Sequence, residues 1–153
     1  MSADASFRLA YDEAVRALRG QADALGGLRQ RAGTVLATTL VVTSFFGGQA
    51  LARGASPNST GWLAVVAFGV AGVLSVLVLF PADLRFAPDV ESVVGLVERV
   101  SPEEEPYREL ALTLSSLYTA NNGRIALLLW IFRAAAVALL VEALLWILFL
   151  AGT

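Results

Sequence analysis

Apolar and polar residues fall into long blocks along this chain, and the blocks have helical periods. Over residues 4–31, charged positions are interspersed with Phe7, Tyr11, Ala14, Leu18, Leu25 and Leu28, which recur at helical intervals and form one stripe. This predicts an amphipathic helix over 4–31, weakened and bent near Gly20, Gly26 and Gly27. Ala32 to Ala52 then carry no charge, with Arg29 and Arg31 before them and Arg53 after. At about 1.5 Å per residue, such a helix crosses a hydrocarbon core of about 30 Å. A first span is predicted at 32–52, with Thr39, Thr43 and Gly47 as a small-residue stripe suited to close helix packing. Gly54 to Thr60 read as a turn. A second uncharged span is predicted at 61–80, with Ala67, Ala71 and Ser75 as its small stripe and Pro81 and Asp83 ending it.

Residues 83–124 are predicted to be a cytoplasmic helical region. Val93, Val97 and Val100 point to a short surface helix. The segment Ser101-Pro102-Glu103-Glu104-Glu105-Pro106 has the makeup of a helix start, with a capping hydroxyl, proline and acids at the positive end of the dipole. From Tyr107 the pattern is helical nearly to the end. Asn121-Asn122-Gly123 is either a break or a weak spot within one long helix, and the third span occupies 125–150.

The arginines set the expected orientation. Arg8, Arg16, Arg19, Arg29 and Arg31 precede the first span, and Arg85, Arg99, Arg108 and Arg124 lie between the second and third. The positive-inside rule therefore puts the N-terminus and 83–124 in the cytoplasm and the C-terminus outside. Trp62 and Trp146 then fall near the outer interface and Trp130 near the inner one. The expected architecture is an all-α integral membrane protein with three transmembrane helices, cytoplasmic amphipathic helices, and assembly into a symmetric homo-oligomer.

The third span is not uniformly apolar: it contains Arg133 and Glu142. An ionisable group at bilayer depth costs at least about 2.5–3.5 kcal/mol and usually faces a protein interior or a water-filled path. Tyr107, Leu110, Leu114, Leu117, Asn121, Arg124, Leu128, Ile131, Ala135, Ala138, Glu142, Leu145 and Phe149 follow alternating three- and four-residue steps. They make a heptad seam that is polar at Asn121 and Arg124 and small at Ala135 and Ala138. If third helices gather around a symmetry axis, Asn121, Arg124, Leu128, Ile131, Ala135 and Glu142 are the pore or gate positions. The other reading is that the same face packs on the first two spans. Arg133 precedes Glu142 by about 2.5 helical turns, so the two point to opposite sides of one helix and do not pair within it. Arg133 either snorkels to the cytoplasmic interface or pairs with another helix.

Composition narrows the chemistry. Of 153 residues, 57% are hydrophobic, above the roughly 45–50% of soluble domains. There is no Cys and no His, which removes disulfides, thiolate metal sites, Cys nucleophiles and the commonest general base. No cofactor or metal is expected. A net charge of -2 gives no bias toward nucleic acid. Asp4, Asp12, Glu13 and Asp23 before the first apolar run argue against a signal peptide. All basic residues are Arg. Arg16, Arg19, Arg29 and Arg31 are the candidates for an anionic ligand, against the plainer role of topology determinants and surface ion pairs.

The pattern Tyr11…Leu18…Ala22…Leu28-Arg29-Gln30-Arg31-Ala32-Gly33-Thr34, running directly into a span, resembles small actinobacterial membrane proteins. In layout the chain is also similar to membrane effectors of bacterial antiphage nucleotide-signalling systems of the Pycsar, SLATT-domain and Hailong types. That resemblance implies an oligomer, a tetramer by the same analogy, in the bacterial inner membrane. It implies gating by a cyclic or oligomeric nucleotide made by a partner nucleotidyltransferase. The Hailong layout fits best and implies an oligodeoxyadenylate. No separate nucleotide-binding domain is present, so the ligand would bind the cytoplasmic helices. The functional expectation is an oligomeric channel or membrane-disrupting effector gated by a nucleotide. The alternative is a non-conducting accessory or structural subunit of a membrane complex. A surface helix with three spans is also the layout of bacterial diacylglycerol kinase. The cluster Glu103, Glu104, Glu105 and Glu109 fits a helix start better than a Mg²⁺–ATP site, so no enzyme is expected.

Overall fold

The structure is a computed structural model that describes residues 3–56, 58–81, 84 and 106–152. It consists of α1 (Ala3–Ala52), α2 (Ser59–Leu79) and α3 (Pro106–Ala151), with no strand among the described residues. Each helix contains a stretch long and apolar enough to cross a membrane. The surface helix expected around Val93 to Val100 and the cap at Ser101 to Glu105 lie outside the described residues. The chain divides into two compact units. One takes residues 1–26 and 82–126, and the other takes 27–81 and 127–153.

Two predicted weak points do not end a helix. α1 is helical through Gly20, Gly26 and Gly27, and α3 is helical through Asn121, Asn122 and Gly123. A glycine within a helix costs up to about 1 kcal/mol. Burial on either side outweighs that here. Leu18, Gln21, Leu25, Leu28 and Ala32 are all buried around the α1 glycines, and Asn121 is itself buried.

In the first unit, α1 and α3 run parallel. Tyr11 meets Tyr107 edge to face at 5.8 Å, and the Gln21 amide donates to the Tyr118 carbonyl at 3.1 Å. Leu18, Gln21 and Leu25 are buried on α1, and Leu114 and Asn121 on α3. Their sequence spacings are those of two heptad stripes in register, the geometry of a parallel coiled coil. Gln21 and Asn121 are the buried polar positions of this seam, a device that commonly fixes register.

In the second unit, α2 runs antiparallel to α1, since Ala50 shares a core with Ala64 while Leu36 approaches Gly72. α3 runs parallel to α1, with Thr43 bonded to Glu142 and Gly47 against Trp146. The core at one end is Ala50, Ala64, Trp146 and Phe149, with Val42, Phe46 and Leu145 against it. Gly61 lets the Phe149 ring approach: a Cβ placed there would stand 3.3 Å from it.

The turn between α1 and α2 is set by local chemistry. Gly54 takes φ 66°, its N–H bonds the Leu51 carbonyl, and the Ala55 N–H bonds the Ala50 carbonyl. This is a Schellman ending with glycine in the left-handed position, and Ala55 supplies the usual apolar contact back to Ala50. Asn58 then caps α2, its Oδ1 accepting from the Gly61 N–H at 3.0 Å. Gly54→Ala is expected to cost about 1–2 kcal/mol, because a Cβ disfavours left-handed backbone. Gly48→Ala, in open space within α1, is expected to be neutral or stabilising by up to about 1 kcal/mol. SDS-titrated unfolding in mixed micelles measures both.

Candidate functional site

Among the described residues, Glu142 is the only acidic side chain that is fully buried, with 0% of its surface exposed. It belongs to the second unit, and its position on α3 places it opposite α1 at Thr43. The Thr43 hydroxyl donates to Glu142 Oε1. Glu142 Oε2 is buried and has no hydrogen-bond partner among the described residues. Thr39, one turn before Thr43, is also 0% exposed. It brings its hydroxyl into electrostatic reach of the same carboxyl without a bond of good geometry.

The threonines of α1 divide by face. On the exposed side, Thr34 and Thr38 return their hydroxyls to the Gln30 and Thr34 carbonyls of their own helix, at 3.2 and 2.9 Å. Back-bonding of that kind is the usual resort of Ser and Thr in membrane helices. Thr43 instead turns its hydroxyl to α3. The result is a hydroxyl-lined carboxylate inside an apolar bundle. On α2, Ser75 is likewise fully buried, and its hydroxyl has no partner among the described residues.

No cation neutralises Glu142 within the described residues, where the ion pairs are Arg16–Glu13 and Arg108–Glu109. Arg133 is exposed, and its guanidinium lies 5.2 Å from the centre of the exposed Trp130 ring. A cation over an indole face is worth about 0.5–2 kcal/mol, and the stack holds Arg133 on the outside of α3.

The other predicted pore positions lie along the same face of α3. Asn121, Leu128 and Ala135 are buried, and Ile131 and Ala138 are partly buried. Arg124 breaks the series and is exposed. The seam is thus largely covered within a single chain.

The four arginine candidates separate. Arg16 pairs with Glu13 on its own helix at 2.9 Å, both side chains well exposed. Arg19 and Arg31 are exposed. Arg29 is partly buried, and its Nη2 donates to the Phe80 carbonyl at the end of α2, at 3.3 Å. At the other end of α1, Arg53 donates to the Leu150 carbonyl near the end of α3, at 3.4 Å. Both place positive charge where the helix dipole leaves unsatisfied carbonyls. For Arg29 this is a packing role that the position of a flanking arginine does not announce.

Compared with family models, curated proteins and solved structures, the chain matches none.

Sequence reasoning placed Glu142 but missed its partners. Thr39 and Thr43 were legible as a small-residue stripe, and the same four-residue spacing that suits packing also stacks two hydroxyls one turn apart. Gln21 was missed as well. Its signal was present, since it continues the Tyr11, Ala14, Leu18 steps and precedes Leu25 by four. Trp146 does a different job from a membrane-interface ring. It is 6% exposed and stacks edge to face on Phe149 at 5.9 Å, whereas Trp62 is 61% exposed.

Proposed function

We propose that this chain is an oligomeric transmembrane channel or membrane-disrupting effector of the bacterial inner membrane, gated by a nucleotide in antiphage defence. The observation that carries the membrane part of this reading is Glu142: a fully buried acid within a membrane-spanning segment is expensive, and such residues mark functional positions. The nucleotide and its partner nucleotidyltransferase rest on the resemblance in layout, with oligodeoxyadenylate as the first ligand to try. In this reading the conformation described is the closed one. Leu128, Ala135 and Glu142 are covered, and a path opens when α3 separates from α1 and α2. The exposed Arg19 and Arg31, with the N-terminus in the cytoplasm, are the ligand-facing groups.

A second reading has a specific observation in its favour. Because the seam is largely buried within one chain, it needs no symmetry axis to satisfy it, which suits a non-conducting accessory subunit.

Purified protein in planar bilayers separates the two. The channel reading expects a defined homo-oligomer and single-channel currents that oligodeoxyadenylate switches. A silent monomer, with and without nucleotide, overturns it and favours the accessory subunit. Leu128→Asn is a companion test. It puts an amide in the closed seam, and leaky cells with slowed growth are expected at normal expression. Unchanged growth with full membrane insertion counts against a gate at Leu128.

A further inference from the structure

Glu142 is charge-bearing, fully covered and without an ion-pair partner among the described residues. An isolated carboxylate in such surroundings must either be neutralised by a bound cation or carry a proton. The groups around it decide between these. Thr43 gives its hydroxyl proton to Oε1, so that oxygen already has a donor. Oε2 and the Thr39 oxygen are both buried and both without a hydrogen-bond partner among the described residues. Buried polar groups rarely stay unpaired, so both oxygens call for a proton or a cation. A cation held by the carboxyl would satisfy Oε2 and the Thr39 oxygen together, beside the oxygen of Thr43.

We propose that Glu142, Thr39 and Thr43 form a dehydrated binding site for a small monovalent metal cation, of which sodium is the type. The donor set is entirely oxygen, which suits hard cations. It contains one carboxylate, and no group of three or more acidic, His or Cys side chains occurs among the described residues. A single negative charge balances a monovalent ion and leaves a divalent one under-neutralised. Arg133, the nearest formal cation along α3, is held away by its stack on Trp130 and does not compete. All three donors lie in the second unit, on two helices that run parallel there. A bound ion would therefore tie α3 to α1 at the level of the polar layer. This assignment stands whether or not the chain conducts, since it concerns occupancy and not flow.

The test is sodium-dependent stability of the full-length protein in nanodiscs at constant pH and ionic strength, with choline replacing sodium. Raising sodium from about 1 mM to about 150 mM is expected to raise the unfolding midpoint by roughly 5 °C if the ion binds well below the upper concentration. Equilibrium binding of radioactive sodium is expected to saturate at one ion per chain. Glu142→Gln keeps the shape and removes the charge, and is expected to abolish both signals. Thr39→Val removes one oxygen from a position whose hydroxyl makes no hydrogen bond, so it is expected to fold and to weaken sodium affinity at least about tenfold. It keeps the proposal testable if Glu142→Gln fails to fold. Identical midpoints in sodium and choline for the wild-type protein overturn the site and leave Glu142 as a protonated packing residue. An undiminished sodium response in Thr39→Val also overturns it.

Discussion

Trp146→Ala is expected to destabilise the protein by about 3–5 kcal/mol, the usual cost of deleting a buried aromatic side chain. The ring is 6% exposed and fills the space between Ala50, Ala64 and Phe149. Its edge also lies 3.7 Å from where a Cβ on Gly47 would stand, so α1 and α3 meet through it. Lipid cannot substitute for this contact, because helices within a bilayer associate through shape-matched packing and not through the hydrophobic effect. Trp62→Ala is the control. That ring is 61% exposed, and its removal should change unfolding by less than about 1 kcal/mol. SDS-titrated unfolding in mixed micelles compares the pair. Equal, small effects would show that Trp146 is an interface anchor and not a core residue.

The second large effect concerns the polar layer. Thr43→Val and Glu142→Gln each disturb one hydrogen bond inside the bundle, and the double variant should be less destabilised than the sum of the two. A coupling energy of about 1–2 kcal/mol is expected. That lies toward the upper end for side-chain bonds between membrane helices, because the acceptor is a carboxyl group. The same cycle between Thr38 and Glu142 should give nearly zero, since Thr38 bonds the Thr34 carbonyl on its own helix. Additivity in the Thr43 cycle would mean that the hydroxyl and the carboxyl act independently.

These two predictions rest on different degrees of legibility. That Glu142 would not face lipid followed from its charge alone. That Trp146 would be interior did not follow, because an indole ring near the end of a span suits an aromatic belt equally well. The pairing of Gly47 and Gly61 with the rings of Trp146 and Phe149 settles the matter, and no one-dimensional pattern contains it. The turn is the opposite case. Gly54 and Asn58 were readable as turn residues, and they occupy the left-handed position and the N-cap that their chemistry favours. The amphipathic stretch 4–31 and the span predicted at 32–52 lie on one continuous helix, α1. Glycine propensity argued for a weak joint, but a stripe of buried residues continues across it and the helix continues with it.

By itself the sequence determined three helices long and apolar enough to cross a membrane, the turn between the first two, and the opposite faces of Glu142 and Arg133. Each follows from quantities local in the chain: apolar length against bilayer thickness, helical period, and turn chemistry. The heptad seam was determined in the same way, as a face that must be covered. What covers it was decided only by the tertiary structure. The seam residues from Leu114 to Phe149 are largely buried within one chain, with Gln21 reaching Tyr118 and Thr43 reaching Glu142 across from α1. A repeat specifies that a partner helix exists and how its residues must be spaced. It does not specify whether that helix belongs to another copy or to the same chain, because both present the same period. The division was made by the antiparallel return of α2, which leaves α1 and α3 parallel and side by side in the membrane-spanning unit.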